Sequence, residues 1–115
     1  MSLAQQPRRE DRSEFEIRTS SDRNGYVIQP GGELDLETND QLHAALTKAL
    51  HSDAKRTLLD LSRVEFIDST GIKTIILAIR TASEQRKEFR LLRGPRQVQR
   101  VFEITGIDDQ LLFAD

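Results

Sequence analysis

The chain has 115 residues, 37% of them hydrophobic, and a formal net charge of −2, which makes it about one domain, able to bury roughly two-thirds of its unfolded surface around a single core. It has no cysteine, so neither a disulfide framework nor a Cys-based zinc site is available and nothing argues for an oxidising compartment. The apolar run from Ile75 to Ile79 is far too short to cross a bilayer and "MSLAQQPRREDRSEFE" lacks the apolar core of a signal peptide, so a cytoplasmic protein is expected.

Residues 1–13, polar and charged, read as a loose tail ahead of one domain over 14–115. Phe15-Glu16-Ile17 alternates, "SSDRNG" reads as a hairpin-like turn containing Asn24-Gly25, and Tyr26-Val27-Ile28 follows; together they predict two antiparallel strands. Pro30-Gly31-Gly32 is expected to end the second strand, because proline supplies no ladder donor and glycine relaxes the backbone. Thr38-Asn39-Asp40-Gln41 is a capping-box pattern, in which the Thr hydroxyl and the Gln side chain would satisfy amides at a helix start. Leu42, Ala45, Leu46, Ala49 and Leu50 then recur at helical spacing to about residue 51. His43 and His51 lie on this helix among polar neighbours with no carboxylate-rich cluster, so no metal is expected.

Thr57-Leu58-Leu59-Asp60-Leu61 reads as a buried strand, and its predicted successor is a helix with Ile72, Ile75, Ile76 and Ile79 on one face. Leu77 and Ala78 fall off that stripe, as flanking core or partner surface. Phe89-Arg90-Leu91-Leu92 predicts a further strand. Gly94-Pro95 turns the chain into a helix with Pro95 at its first position and Val98, Val101 and Phe102 inward. Gly106 suits a left-handed cap with Ile107 packing back across it, and Gln110 to Phe113 could form a last strand. The order ββαβαβα(β) implies an α/β domain whose sheet is mostly parallel beyond its first hairpin.

Charge is unevenly distributed. "ELDLETND", residues 33–40, holds four acids and no base, whereas "RKEFRLLRGPRQVQR", residues 86–100, holds six bases against one acid. Phe89, Leu91 and Leu92 within the basic stretch look like buried strand positions, so it reads as solvated surface rather than a nucleic-acid stripe; Arg96 and Arg100 would at most steer an acidic partner.

In a parallel sheet the carboxyl ends of strands face the amino ends of the following helices, where ligands and modifications usually act. "FIDSTGI" lies on that edge, and so does "GGELDLET" if both preceding strands point the same way. Asp68 and Ser69 can cap the following helix, Gly71 lets another backbone approach, and Ser69 sits where backbone amides favour an anion. The same residues also suit a simple cap. Three enzymatic readings each lack a part. A haloacid-dehalogenase-type phosphatase needs a second Asp two positions after Asp68, where Thr70 stands. An aspartic protease needs Asp-Thr/Ser-Gly in direct succession and usually a second such loop or a dimer, whereas this chain has Asp-Ser-Thr-Gly once. A serine hydrolase needs a base beside Ser69 and a Gly-x-Ser-x-Gly elbow. No Walker-type loop or Rossmann fingerprint is present.

"GGELDLET", "LLDLSRVEFIDSTGI" and "LLRGPRQVQRVFEITGID" stand in the order and approximate spacing of the STAS family, and the chain resembles its stand-alone members, the bacterial anti-sigma factor antagonists, from about residue 14 to residue 115. The resemblance implies a single-domain α/β fold, a mixed, mostly parallel sheet flanked by helices. It implies a switch rather than an enzyme, with no cofactor of its own and no direct contact with nucleic acid or membrane. The unmodified protein would bind an anti-sigma factor, a serine kinase with an ATP-binding fold like that of histidine kinases, and so free the sigma factor. Phosphorylation from Mg-ATP would dissociate the complex, and a PP2C-type phosphatase would reset it.

By that resemblance Ser69 is the phospho-acceptor, Asp68 positions its hydroxyl or the kinase's magnesium, and Thr70 and Gly71 shape the contact loop. Asp35 and Thr38 would lie on the neighbouring partner-binding loop. Lys73 stands where many relatives carry a small residue, and would either pair with the phosphate or alter partner choice. A non-phosphorylated scaffold, the cytoplasmic part of an anion transporter, and a small-ligand or nucleotide-sensing module are the other uses of such a domain. The missing membrane segment disfavours the transporter, an intact Ser69 disfavours the pure scaffold, and no phosphate-cradling glycine loop supports the nucleotide sensor.

Overall fold

Arg23 and Asn24 reverse the chain between β1 (Glu16–Asp22) and β2 (Gly25–Leu34). The Asp22 carboxylate accepts the backbone N–H groups of Asn24 (2.7 Å) and Gly25 (3.2 Å), and Gly25 turns at φ +141°, a region a side chain resists. A computed structural model describes residues 14–106 and Phe113; the expectations for the tail 1–13, for Ile107 and for Gln110 to Leu112 lie outside the described residues. Ser20, Ser21 and Asp22, expected in the turn, belong instead to β1 and pair with Val27, Tyr26 and Gly25.

Pro30-Gly31-Gly32 does not end β2. The strand continues through it and changes partner: residues 26–28 pair in parallel with β3 (Arg56–Asp60), and Gly32, Glu33 and Leu34 pair in parallel with β4 (Val64–Ile67). Pro30 falls between the two parallel ladders, where its missing N–H costs neither of them a bond. Gly32, at φ +111°, absorbs the register shift to Glu33, as a bulge does.

β4 is a second departure, since the chain was expected to pass from β3 directly into a helix. The described order is β1, β2, α1 (Asn39–His51), β3, β4, α2 (Ser69–Glu84), β5 (Glu88–Leu92) and α3 (Arg96–Thr105). The sheet runs β1-β2-β3-β5 with β4 joined to the far part of β2, and among the described residues only the β1–β2 pair is antiparallel. This is the expected α/β architecture, a mixed and mostly parallel sheet.

Ile28, Leu59 and Leu91 occupy one register row and are fully buried. Leu42, Leu46, Ala49 and Leu50 of α1 and Ile72 and Ile75 of α2 join them in the core. The inner stripe of α2 is rotated from the expected one: Gly71, Ala78 and Ala82 are buried, whereas Ile76 and Ile79 are half-buried. A row of isoleucines suggested the stripe, but the small alanines let the helix lie close to its neighbours. On α3, Val98 and Phe102 are fully buried and Val101 half-buried. Pro95 is the cap before α3 rather than its first residue, with extended ψ 166°, and Gly106 takes the expected left-handed cap at φ 82°. Phe113 bridges Leu91 in parallel and meets Phe102 edge to face at 5.8 Å.

Candidate functional site

β2 and β4 point the same way and end level, with Leu34 paired to Ile67. The next backbone bond, Asp68 N–H to the Leu34 carbonyl at 3.0 Å, ties the start of α2 to the start of the β2–α1 loop. "FIDSTGI" and "GGELDLET" therefore share one edge, the condition that both preceding strands point the same way being met.

Asp68 is the cap of α2. Its backbone is extended (φ −109°, ψ −174°) and its Oδ1 accepts the N–H groups of Thr70 at 2.9 Å and Gly71 at 3.1 Å, which satisfies two helix-end donors left without carbonyl partners. With Asp68 capping, the Ser69 hydroxyl is not needed for that task. Ser69 is exposed, Asp68 and Thr70 are half-buried, and Gly71 is buried. What approaches Gly71 is not backbone, as expected, but two side chains: an added Cβ would lie 3.0 Å from Ile67 Cγ1 and 3.3 Å from Leu34 Cβ. Glycine lets the first turn of α2 settle against both strand ends.

The facing loop holds itself. Asp35 Oδ1 accepts the N–H groups of Glu37 (3.0 Å) and Thr38 (3.2 Å). The Thr38 hydroxyl accepts the Asp35 N–H at 3.0 Å and donates to the Glu33 carbonyl at 2.7 Å. Both side chains are buried. The expected capping box is thus absent, because Thr38 makes no side-chain cap bond to α1; its hydroxyl is turned back to fix the loop. Asn39 Oδ1 accepts the Thr74 hydroxyl at 2.6 Å, joining α1 to α2 beneath the site.

Asp35 and Thr38 consequently shape the loop from within, while Ser69 and Lys73 lie on the exposed side. The loop also carries Leu36, 77% exposed, and α2 carries Leu77, 48% exposed. Residue reasoning did not single out Leu36. Alternation along "ELDLE" would put it on the same side as buried Leu34, but the strand stops at Leu34 and the Asp35-centred turn reverses the pattern. Phe66, 48% exposed on β4, was missed with its strand.

Two surface hollows, of about 430 and 290 Å³, do not include Ser69 among their lining residues. Among the described residues no group of His, Cys, Asp and Glu could hold a metal ion, and no helix is long and apolar enough to cross a membrane. The arrangement offers an open hydroxyl, beside an acidic loop and an exposed leucine, at one edge of the sheet. Such an edge is suited to docking and modification.

A family profile described as "Mlab, STAS domain" matches residues 17–113. A Staphylococcus aureus protein named "Anti-sigma-B factor antagonist" is 30% identical over 93 residues, 81% of this chain and 86% of that protein. Solved structures of the Bacillus anti-sigma factor antagonist SpoIIAA share the fold at 24% identity. Its unphosphorylated form gives a TM-score of 0.73, covering 88% of this chain and 86% of that one; its phosphorylated form gives 0.68, covering 88% and 89%. With the profile spanning nearly all of the sequence over this strand order and this helix-capping motif, the chain belongs to the STAS domain family.

Proposed function

We propose that this protein is an anti-sigma factor antagonist. In its unmodified form it binds an anti-sigma factor serine kinase and frees the sigma factor; phosphorylation of Ser69 ends the binding, and a PP2C-type phosphatase restores it. The observation that carries this reading is the exposed Ser69, directly after a cap that leaves its hydroxyl unengaged: the hydroxyl has no hydrogen-bond partner among the described residues. The names of the relatives support an anti-sigma factor as the partner; the kinase and phosphatase rest on the family resemblance. In the transfer the Ser69 oxygen attacks the γ-phosphorus of ATP, ADP leaves, and the hydroxyl proton passes to a base on the kinase.

Phosphate adds about −1.5 to −2 charges at neutral pH, beside Asp68 and on the same edge as Glu33 at the end of β2 and Glu37 on the facing loop. Like charge and desolvation then oppose docking against an acidic or apolar partner. The positive end of the α2 dipole tolerates an anion at this position, so the fold persists while the complex does not. The protein acts here as the kinase's substrate, in the cytoplasm, and supplies no catalytic group of its own.

Incubation with the host's kinase of this class and Mg-ATP should place one phosphate on Ser69, and Ser69→Ala should accept none while still binding. Ser69→Asp should bind at least about tenfold more weakly, some 1.4 kcal/mol. Circular dichroism and urea midpoints establish that both variants fold. Phosphate found on Thr70 would correct the acceptor. No phosphorylation by any such kinase, with unchanged binding by folded Ser69→Asp, would replace the switch with a constitutive scaffold.

A further inference from the structure

Lys73 follows Ser69 by four residues in α2, one turn along, the spacing at which helical side chains meet. Both side chains are exposed. Ion pairs among the described residues join Arg18 to Glu16, and Arg56 and Arg90 to Glu88; Lys73 has no carboxylate partner among the described residues. The first turn of α2 holds no acid, and the capping oxygen of Asp68 is engaged by the Thr70 and Gly71 amides. An unpaired ammonium therefore stands one turn from the hydroxyl, on the exposed stripe that continues through Leu77 and Arg80.

Resting on the reading of Ser69 as phospho-acceptor, we propose that Lys73 is the counter-ion of that phosphate. The phosphoserine reaches forward one turn and takes the ammonium, in the orientation, anion before cation, that helices favour. Modification then changes the docking stripe twice: it adds a dianion, and it removes a free cation on which a partner's carboxylate could dock. Half of the added charge is neutralised within the chain, which spares the phosphorylated domain the repulsion of the acidic loop.

The test needs no kinase. Phosphoserine is installed at position 69 of the full chain by genetic encoding, and the second ionisation of the phosphate is titrated by ³¹P NMR. A cation nearby favours the dianion and lowers this pKa. The carboxylates at this edge, Asp68 on α2, Asp40 on α1, and Glu33, Asp35 and Glu37 from β2 and its loop, act in the opposite direction and are common to every variant. Lys73→Gln should raise the phosphate pKa by about 0.3 or more, a twofold change in its dissociation constant. Lys73→Arg should keep the wild-type value, Arg80→Gln should leave it unmoved, and 1 M salt should shrink the difference. Equal values in the wild-type and Lys73→Gln chains would overturn the pairing and leave the phosphorylation switch standing. A Lys73-dependent pKa in a host with no kinase that modifies Ser69 would uphold the pairing and overturn the proposed function.

Discussion

Gly71→Ala should destabilise the domain even though it replaces glycine inside a helix. The added Cβ would lie 3.0 Å from Ile67 Cγ1, 3.3 Å from Ile67 Cδ1 and 3.3 Å from Leu34 Cβ. Leu34 is fully buried and Ile67 2% exposed, and the Leu34 atom is fixed directly to the backbone of β2, so neither neighbour yields easily. Overpacking of this kind costs about 1–3 kcal/mol. The opposing gain, alanine over glycine in a helix, reaches about 1 kcal/mol in a helix interior and less in the first turn. Crowding wins, with a net loss of about 1–2 kcal/mol. In urea the midpoint should fall by roughly 0.5–1 M. The diagnostic arm is the Ile67→Ala background, where the nearer obstruction is gone and only the 3.3 Å approach to Leu34 Cβ remains, so Gly71→Ala should cost less there than in the wild-type chain, a coupling that only contacting residues show. Gly106→Ala provides the contrast: nothing lies within 4 Å of its added Cβ, but φ is +82°, so its loss of about 1 kcal/mol comes from the backbone and should be the same in either background. A raised midpoint for Gly71→Ala in the otherwise wild-type chain would refute the packing account of the α2 amino end.

Phe102→Ala should cost roughly 3–5 kcal/mol, since the ring is fully buried against Phe113, whereas exposed Arg100→Ala should cost about 0.5 kcal/mol or less; equal urea midpoints would contradict the phase of α3. Asp68→Ala removes the acceptor for two helix-end amides and should lower stability by about 1 kcal/mol, measured in urea at neutral pH, with Asp68→Asn retaining most of it. Burial works to raise the Asp60 carboxyl, but the backbone and hydroxyl of Ser62 and the Gln29 amide at 2.8 Å hold it below its ordinary value. Its contribution is therefore present above the unfolded carboxylate range near ~4 and lost as pH falls through the lower folded value. The acid limb of the stability–pH profile should flatten in Asp60→Asn, and an unchanged limb would count against this contribution.

The parts of the fold that periodicity could reach were legible. α1 declared itself through Leu42, Leu46, Ala49 and Leu50, and α3 through Val98, Phe102 and the glycine that closes it. β4 was not, because the burial of "VEFI" runs in, out, out, in, an i, i+3 spacing that imitates a helix turn rather than the strand period, and no Gly or Pro separates it from β3. Pro30 and the glycines after it were read as a stop because local rules cannot see that a strand may change partners there. At the site, the cap, the hydroxyl and the glycine were legible from Asp68 to Gly71, since each answers a local backbone need. The use of the Thr38 hydroxyl and the exposure of Leu36 were not, because both depend on how the β2–α1 loop folds back on the end of β2.

The change of partner within β2 also divides the domain's resistance to opening. The front of the strand is held on both sides at Tyr26, Val27 and Ile28, by β1 and β3; the β1 pairing continues through Pro30 to Gly31, and the back is held by β4 through Gly32, Glu33 and Leu34. The β3 and β4 ladders share no residue of β2, so separation of β4 from the strand end need break none of the bonds to β3. The edge bearing Ser69 thus belongs to a smaller cooperative unit than the sheet that supports it, and can breathe at a lower free energy than global unfolding. A protein that must be gripped, modified and released at one edge can tolerate that cycle there while its centre stays closed.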